Sequence, residues 1–220
     1  SLRWPGRPQL AAGNPAWTYM VESPSGQFAI FVGHVDSGDP HAFEVWVNGN
    51  EQPRGLGAVA KTLSMDMRAQ DRAWLRMKLA ILSRTAGDDA FDCPMPPDGV
   101  PARMPSTVAA FARIVSWRVE QLGGLAPRDD RSPVLDALFA KKEPKTGTDG
   151  TMSWSVDVYN PSSGDDFVLI LKELVLPSGQ RRPYSVWMAG SYPRSLDGLC
   201  KLLSLDMRVI DPAWIGMKLR

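Results

Sequence analysis

Histidine and cysteine are nearly missing from this 220-residue chain, which has two of each: His34, His41, Cys93 and Cys200. The cysteines stand far apart and no C-x-x-C occurs, which argues against a disulfide framework and a cysteine zinc site, and the set is too small for a metal centre. Neither charge is in excess, with 25 Lys plus Arg against 24 Asp plus Glu, so no general basic field gathers nucleic acid. No apolar run approaches the roughly 20 residues of a membrane span. The opening SLRWPGRPQLAAGNPAW lacks the apolar stretch of a secretory signal, so the expectation is a cytoplasmic chain that does not engage a membrane. The phosphate loops G-x-x-x-x-G-K-[ST] and G-x-G-x-x-G are missing too.

What the chain does have is a phrase written twice. Pro53–Leu79 and Pro193–Leu219 align without gaps and match at 15 of 27 positions, among them Ser64/Ser204, Asp66/Asp206, Arg68/Arg208, Asp71/Asp211, Trp74/Trp214 and Lys78/Lys218. Upstream, Trp17 answers Trp154, Phe28 answers Phe167, and FEVWVNG (Phe43–Gly49) answers YSVWMAG (Tyr184–Gly190). Such a repeat points to a duplicated structural unit.

Each copy begins with strand character. FAIFVGHV (Phe28–Val35) and FVLILKELV (Phe167–Val175) are rich in β-branched and aromatic residues and are bounded by turn formers. A three-stranded meander is expected, with turns at Ser23–Gly26 and Ser37–Pro40 in copy one and Asn160–Asp166 and Pro177–Gly179 in copy two. The period then lengthens. Leu56, Val59, Ala60, Leu63 and Met67 form a helical seam that Leu196, Leu199, Cys200, Leu203 and Met207 repeat, one face of each helix packing on its sheet. Asp71 and Asp211 suit the cap of a second helix, in which Trp74, Met77 and Ile81 are apolar, and Pro212 suits its first position.

Copy one continues through a proline-rich connector, Cys93–Pro105, into a helix capped by Ser106 and ended by Gly123. Copy two has no such helix, so the repeat predicts that one would follow Arg220 in a longer protein. The expected class is α+β: a duplicated unit of a small antiparallel three-stranded meander followed by packed helices. The divisions are an N-terminal extension (1–16), unit 1 (17–127), a linker (128–150) whose short helix has Ser132 as cap and Pro133 at its first position, and unit 2 (151–220).

Asp66-x-Arg68 and Asp206-x-Arg208 are the residues that invite a catalytic or phosphate-binding reading, since arginine presents a bidentate fork and aspartate can serve as a base. Two residues apart on a helix they point in different directions, and the favoured reading is structural: Asp66 caps a neighbouring helix or pairs with an arginine across the unit. Core or inter-unit packing is likewise favoured for Trp46/Trp187 and Trp74/Trp214 over base stacking. Cys200, in the helix seam, reads as a small core residue, and Cys93 as the more exposed thiol.

The stretches FEVWVNGNEQPRGLGAVAKTLSMDMR and RRPYSVWMAGSYPRSLDGLCKLLSLDMR resemble the C-terminal accessory region of bacterial adenosylcobalamin-dependent (class II) ribonucleotide reductases, a duplicated module related to TSCPD-type modules. Here the nearest text to that signature is FDCPMPPDG. The resemblance implies a parent oxidoreductase that makes deoxyribonucleotides, with an α/β barrel, a thiyl-radical cysteine and an adenosylcobalamin site, none of which this chain matches. It further implies that this region has no catalytic, cofactor-binding or metal residues, and that its partner is the catalytic portion of the parent. A rival reading makes the chain a nucleotide- or single-stranded nucleic-acid-binding module that uses Arg54, Arg68, Arg194 and Arg208 with the repeated tryptophans. A hydrolase with Asp66 or Asp206 as base is a third, and it requires a polar pocket around one of them. Oligomeric state is not fixed by any of these.

Overall fold

The computed structural model describes residues 5–9, 11–36, 38–49, 51–125, 131–145 and 148–220. Ser37 of the expected second turn, residues 126–130 and 146–147 around and within the expected linker, and residues 1–4 and 10 of the extension lie outside the described residues. The fold is α+β, with three separate antiparallel sheets and six helices among those residues.

Unit 1 opens with β1 (Ala16–Ser23), β2 (Gly26–Val35) and β3 (His41–Asn48), paired in that order as a meander. Ser23 faces Gly26 across a two-residue turn. Helix α1 (Leu56–Arg68) then packs its predicted seam on the sheet, with Leu56, Val59, Ala60, Leu63 and Met67 buried. The chain turns a corner into α2 (Arg72–Ser83), whose first N–H groups are met by Asp71 through a 3.0 Å bond from Trp74 N.

The proline-rich connector is not a bare loop. It folds as the hairpin β4 (Phe91–Met95) and β5 (Val100–Met104), with Pro94 directly opposite Pro101. Opposed prolines suit a two-stranded ribbon because a site that exchanges no hydrogen bonds loses nothing to the missing N–H groups. Proline content had argued for a loop, and it is this pairing that reverses the expectation. Helix α3 (Thr107–Gln121) follows, capped by Ser106 and ended at Gly123 with φ 71°, as predicted. It is buried along much of its length and completes the larger core.

A short helix α4 (Pro133–Asp136), capped by Ser132, leads to unit 2. There β6 (Ser153–Asn160), β7 (Asp165–Val175) and β8 (Arg181–Ser191) form a second meander in the same order, followed by α5 (Leu196–Met207) and α6 (Pro212–Lys218). Even the irregularities correspond, with register shifts at Gly33/His34 in β2 and at Lys172/Glu173 in β7. Gly49, just after β3, and Gly190, next to last in β8, have φ of 150° and 122° and lie where an added Cβ would be 2.9 Å from the Cα of Phe28 or Phe167. The repeated V-N-G and M-A-G thus answer one steric requirement.

The units differ in what covers them. In unit 1, Trp17 of β1 lies against Trp117 of α3 with ring centroids 5.5 Å apart. The residues answering Trp17 and Tyr19 in unit 2, Trp154 and Val156, are 60% and 56% exposed. Helix α5 is buried on two sides rather than the one expected. Cys200 and Met207 face their own sheet, while Leu202 joins the unit 1 core and Gly198 packs close to Val108 and Leu82. No helix among the described residues is long and apolar enough to cross a membrane.

Candidate functional site

The repeated phrase builds one site from both copies. The last turn of α1 presents Asp66, the Asp71 corner reverses the chain, and α2 returns Trp74 and Lys78, four residues apart and so on one helix face. Trp74 Nε1 donates to Asp66 Oδ1 at 2.8 Å. Unit 2 repeats this geometry, Trp214 Nε1 donating to Asp206 Oδ1 at 2.9 Å. Helices α1 and α5 pack together, which brings the two assemblies face to face.

At their junction the ammonium groups cross over. Lys218 lies 2.8 Å from Asp66 and 2.8 Å from Asp206; Lys78 lies 2.7 Å from Asp206 and 3.3 Å from Asp66. All four side chains are completely buried. Lys78 also donates to the Leu202 carbonyl at 3.2 Å. Two carboxylates and two ammoniums leave no net charge, and each carboxylate oxygen accepts at least one of these bonds, which is the condition under which buried ions are tolerated. Trp74 and Trp214 meet edge to face at 6.4 Å, and Val134 of α4, Leu205 and Val209 pack around them.

The electrostatics follow the contacts. Burial alone would raise the Asp206 carboxyl, but the ammoniums of Lys218 and Lys78 outweigh it and hold that group below the usual carboxylate range. Burial is also the largest influence on the lysines. It prevails at Lys78, pushed down to about 8 with Lys218 repelling it, whereas at Lys218 the attraction of Asp206 and Asp66 prevails and its affinity for the proton is raised. The difference tracks geometry, since Lys218 makes two close carboxylate contacts and Lys78 one close and one long.

A general base must reach a substrate proton. Asp66 and Asp206 are sealed and already bonded, so this arrangement can only lock helices together. The structural reading of Asp66 thus holds, with one correction: its partners are lysines and a tryptophan, not an arginine, because the helix that returns beside it carries Lys78 and the helix from the other unit carries Lys218. Sequence reasoning passed over both lysines. The signal was present, since A-W-x-x-M-K recurs in both copies and sets the lysine four residues after the tryptophan, on the same helix face.

The remaining candidates scatter. Arg54 forms a bidentate pair with Asp165 of unit 2, at 2.9 and 2.8 Å, and with Ser163 it holds that carboxyl down at about 2. Arg68 Nε donates to the Pro5 carbonyl at 3.2 Å. Arg194 is exposed and stacks on Tyr192, 4.6 Å from its ring centre. Arg208 is 5% exposed, and its buried Nε has no hydrogen-bond partner among the described residues. Trp74 and Trp214 pack between the units as expected, but Trp46 and Trp187 are 53% and 49% exposed, which corrects the core reading for that pair. Cys93 is fully buried in β4 rather than being the exposed thiol, since the hairpin turns it against the core; burial pushes both Cys93 and Cys200 up to about 11. Among the described residues no group of three or more His, Cys, Asp or Glu is placed to hold a metal ion.

A second repeated device supports the first. Ser64 and Ser204 sit inside α1 and α5, and their hydroxyls accept the backbone N–H of Val45 at 2.9 Å and Val186 at 3.0 Å. Each fastens its helix to the third strand of its own sheet while also bonding back to the carbonyl four residues earlier. In comparisons with protein families, curated proteins and solved structures, the chain finds no match.

Proposed function

We propose that this chain is a non-catalytic accessory region of a class II ribonucleotide reductase, serving assembly or partner contact while the parent polypeptide supplies the radical chemistry and the adenosylcobalamin site. One observation carries the non-catalytic half: the duplicated carboxylates, the residues with the best claim to acid–base chemistry, are consumed in a sealed cluster whose members come equally from both units. Duplication here serves a joint between units. The resemblance of Phe43–Arg68 and Arg181–Arg208 to the reductase module supports the parentage.

The contact half is supported by the open face of β6. Trp154 and Val156 stand exposed where unit 1 has α3 packed on its sheet, and contiguous apolar surface of that kind marks a contact region. Purified chain, supplied with ribonucleotide, adenosylcobalamin and a dithiol, should give no deoxyribonucleotide. Sedimentation with the catalytic portion of a class II reductase should give a complex that Trp154→Asp with Val156→Asp abolishes. Turnover by the chain alone, or no complex, overturns the reading.

A further inference from the structure

Equivalent clefts lie between the third strand and the first helix of each unit, and they are filled differently. In unit 1 the residues of this cleft meet the largely exposed segment at residues 5–9 at two points. Its Pro5 carbonyl accepts from Arg68 Nε at 3.2 Å, and two residues on Arg7 pairs with Glu44 at 2.5 Å. In unit 2 the corresponding positions line a cavity of about 470 Å³, Val186, Met188, Cys200 and Arg208 among them, to which Glu143 of the linker and Ile81 and Ala86 of unit 1 also contribute. Arg208, which answers Arg68, has a buried Nε with no acceptor. A buried donor without an acceptor costs on the order of 1–3 kcal/mol, so such a group calls for a partner.

Ser185 replaces Glu44, yet a carboxylate is still present, because Glu143 is the acidic group that acts on Arg208 as Glu44 acts on Arg68. The cleft thus keeps an arginine with a glutamate in its neighbourhood, as the site that meets residues 5–7 has in unit 1, although here Glu143 already accepts from Lys172 and the Trp187 indole. Its charges are mixed rather than uniformly basic: Arg208 and Lys201 line it with Glu143 and Asp197, and Glu143 is already paired with Lys172 at 3.2 Å. A neutral carbonyl is what the equivalent arginine takes.

We propose that the unit 2 cleft binds an extended, proline-flanked peptide segment of a partner chain, which gives a main-chain carbonyl to Arg208 Nε and places a basic side chain, two residues later, near Glu143. Its flanking apolar groups would cover Val186 and Met188. The site is independent of the reductase reading, since it depends on the two clefts and not on the parent's chemistry.

The test is a titration of the intact chain with the blocked pentapeptide Pro-Gly-Arg-Pro-Gln, the sequence of residues 5–9, following the Trp187 indole N–H resonance. Saturable shifts are expected at Trp187, weakened about tenfold or more both by Arg208→Met and by alanine in place of the peptide's arginine. Arg208→Lys is run beside Arg208→Met, each checked for a native spectrum, so that loss of fold is not read as loss of binding. No shift with the peptide overturns the proposal, as does a shift indifferent to Arg208→Met. Saturable shifts with adenosine monophosphate but not with the peptide also overturn it, and point to a nucleotide site instead.

Discussion

Lys218, in the last helix, reaches back 152 residues to place its ammonium 2.8 Å from the Asp66 carboxylate. That contact, together with Lys78 and Asp206, makes the joint between the units ionic at its centre and apolar around it. Buried ion pairs of this kind are a poor source of net stability and a strong source of specificity, because a misaligned partner leaves a charge unpaired. The crossed pairs favour the docking of α1 on α5 in which all four charges are matched, because any arrangement that separates them leaves a buried ion unpaired.

Lys218→Met should destabilise the chain by about 3–5 kcal/mol, since it leaves two buried carboxylates with one ammonium. Adding Asp66→Asn to it should cost less than the sum of the single changes, as neutrality is restored. Urea denaturation of the four species of this cycle checks it; strict additivity would mean the pair is not coupled.

Acid should weaken the joint. The folded-state proton affinity of Asp206 is held below that of the ordinary carboxyl at 3.8, so its contribution is present above that value and is lost as pH falls through the folded one. Lys218, raised above 10.5, contributes fully below that value and loses its effect only as pH rises past the folded one. Lys78 acts with opposite sign: between about 8 and 10.5 the unfolded chain holds a proton the folded chain releases, so its own contribution rises with pH there. Urea midpoints measured across the acid range should fall for the natural chain and fall less steeply for Asp206→Asn.

Gly49→Ala and Gly190→Ala should each destabilise by about 1–3 kcal/mol, because φ there is positive and the new Cβ meets backbone. Thermal melts of the two variants, compared with Gly57→Ala, an exposed helical position where a Cβ meets nothing, check this. Equal effects at all three would remove the steric account.

Both cysteines should resist thiol reagents at neutral pH while the chain is folded. Their thiols are buried and pushed up to about 11, so little thiolate forms. Labelling with a disulfide reagent should be slow in buffer and fast in urea; rapid native labelling of Cys93 would contradict its burial in β4.

The caps at Asp71, Ser106 and Ser132, the helical seam of α1 and the two meanders were legible because each depends on neighbours a few residues away. The hairpin β4–β5 was not, since prolines argue locally against strands and only their mutual opposition makes the pairing acceptable. The exposure of Trp46 and Trp187 was equally hidden, because alternation along a strand does not say which face a helix will cover.

By itself, the sequence determined which residues recur in two units of one kind and where α2, α3, α4 and α6 start. That Asp66, Lys78, Asp206 and Lys218 share one sealed cluster was decided only by tertiary packing. Periodicity fixes the face of a helix on which a charge lies, whereas its partner depends on how α1 and α5 dock, a relation between segments that no local pattern encodes.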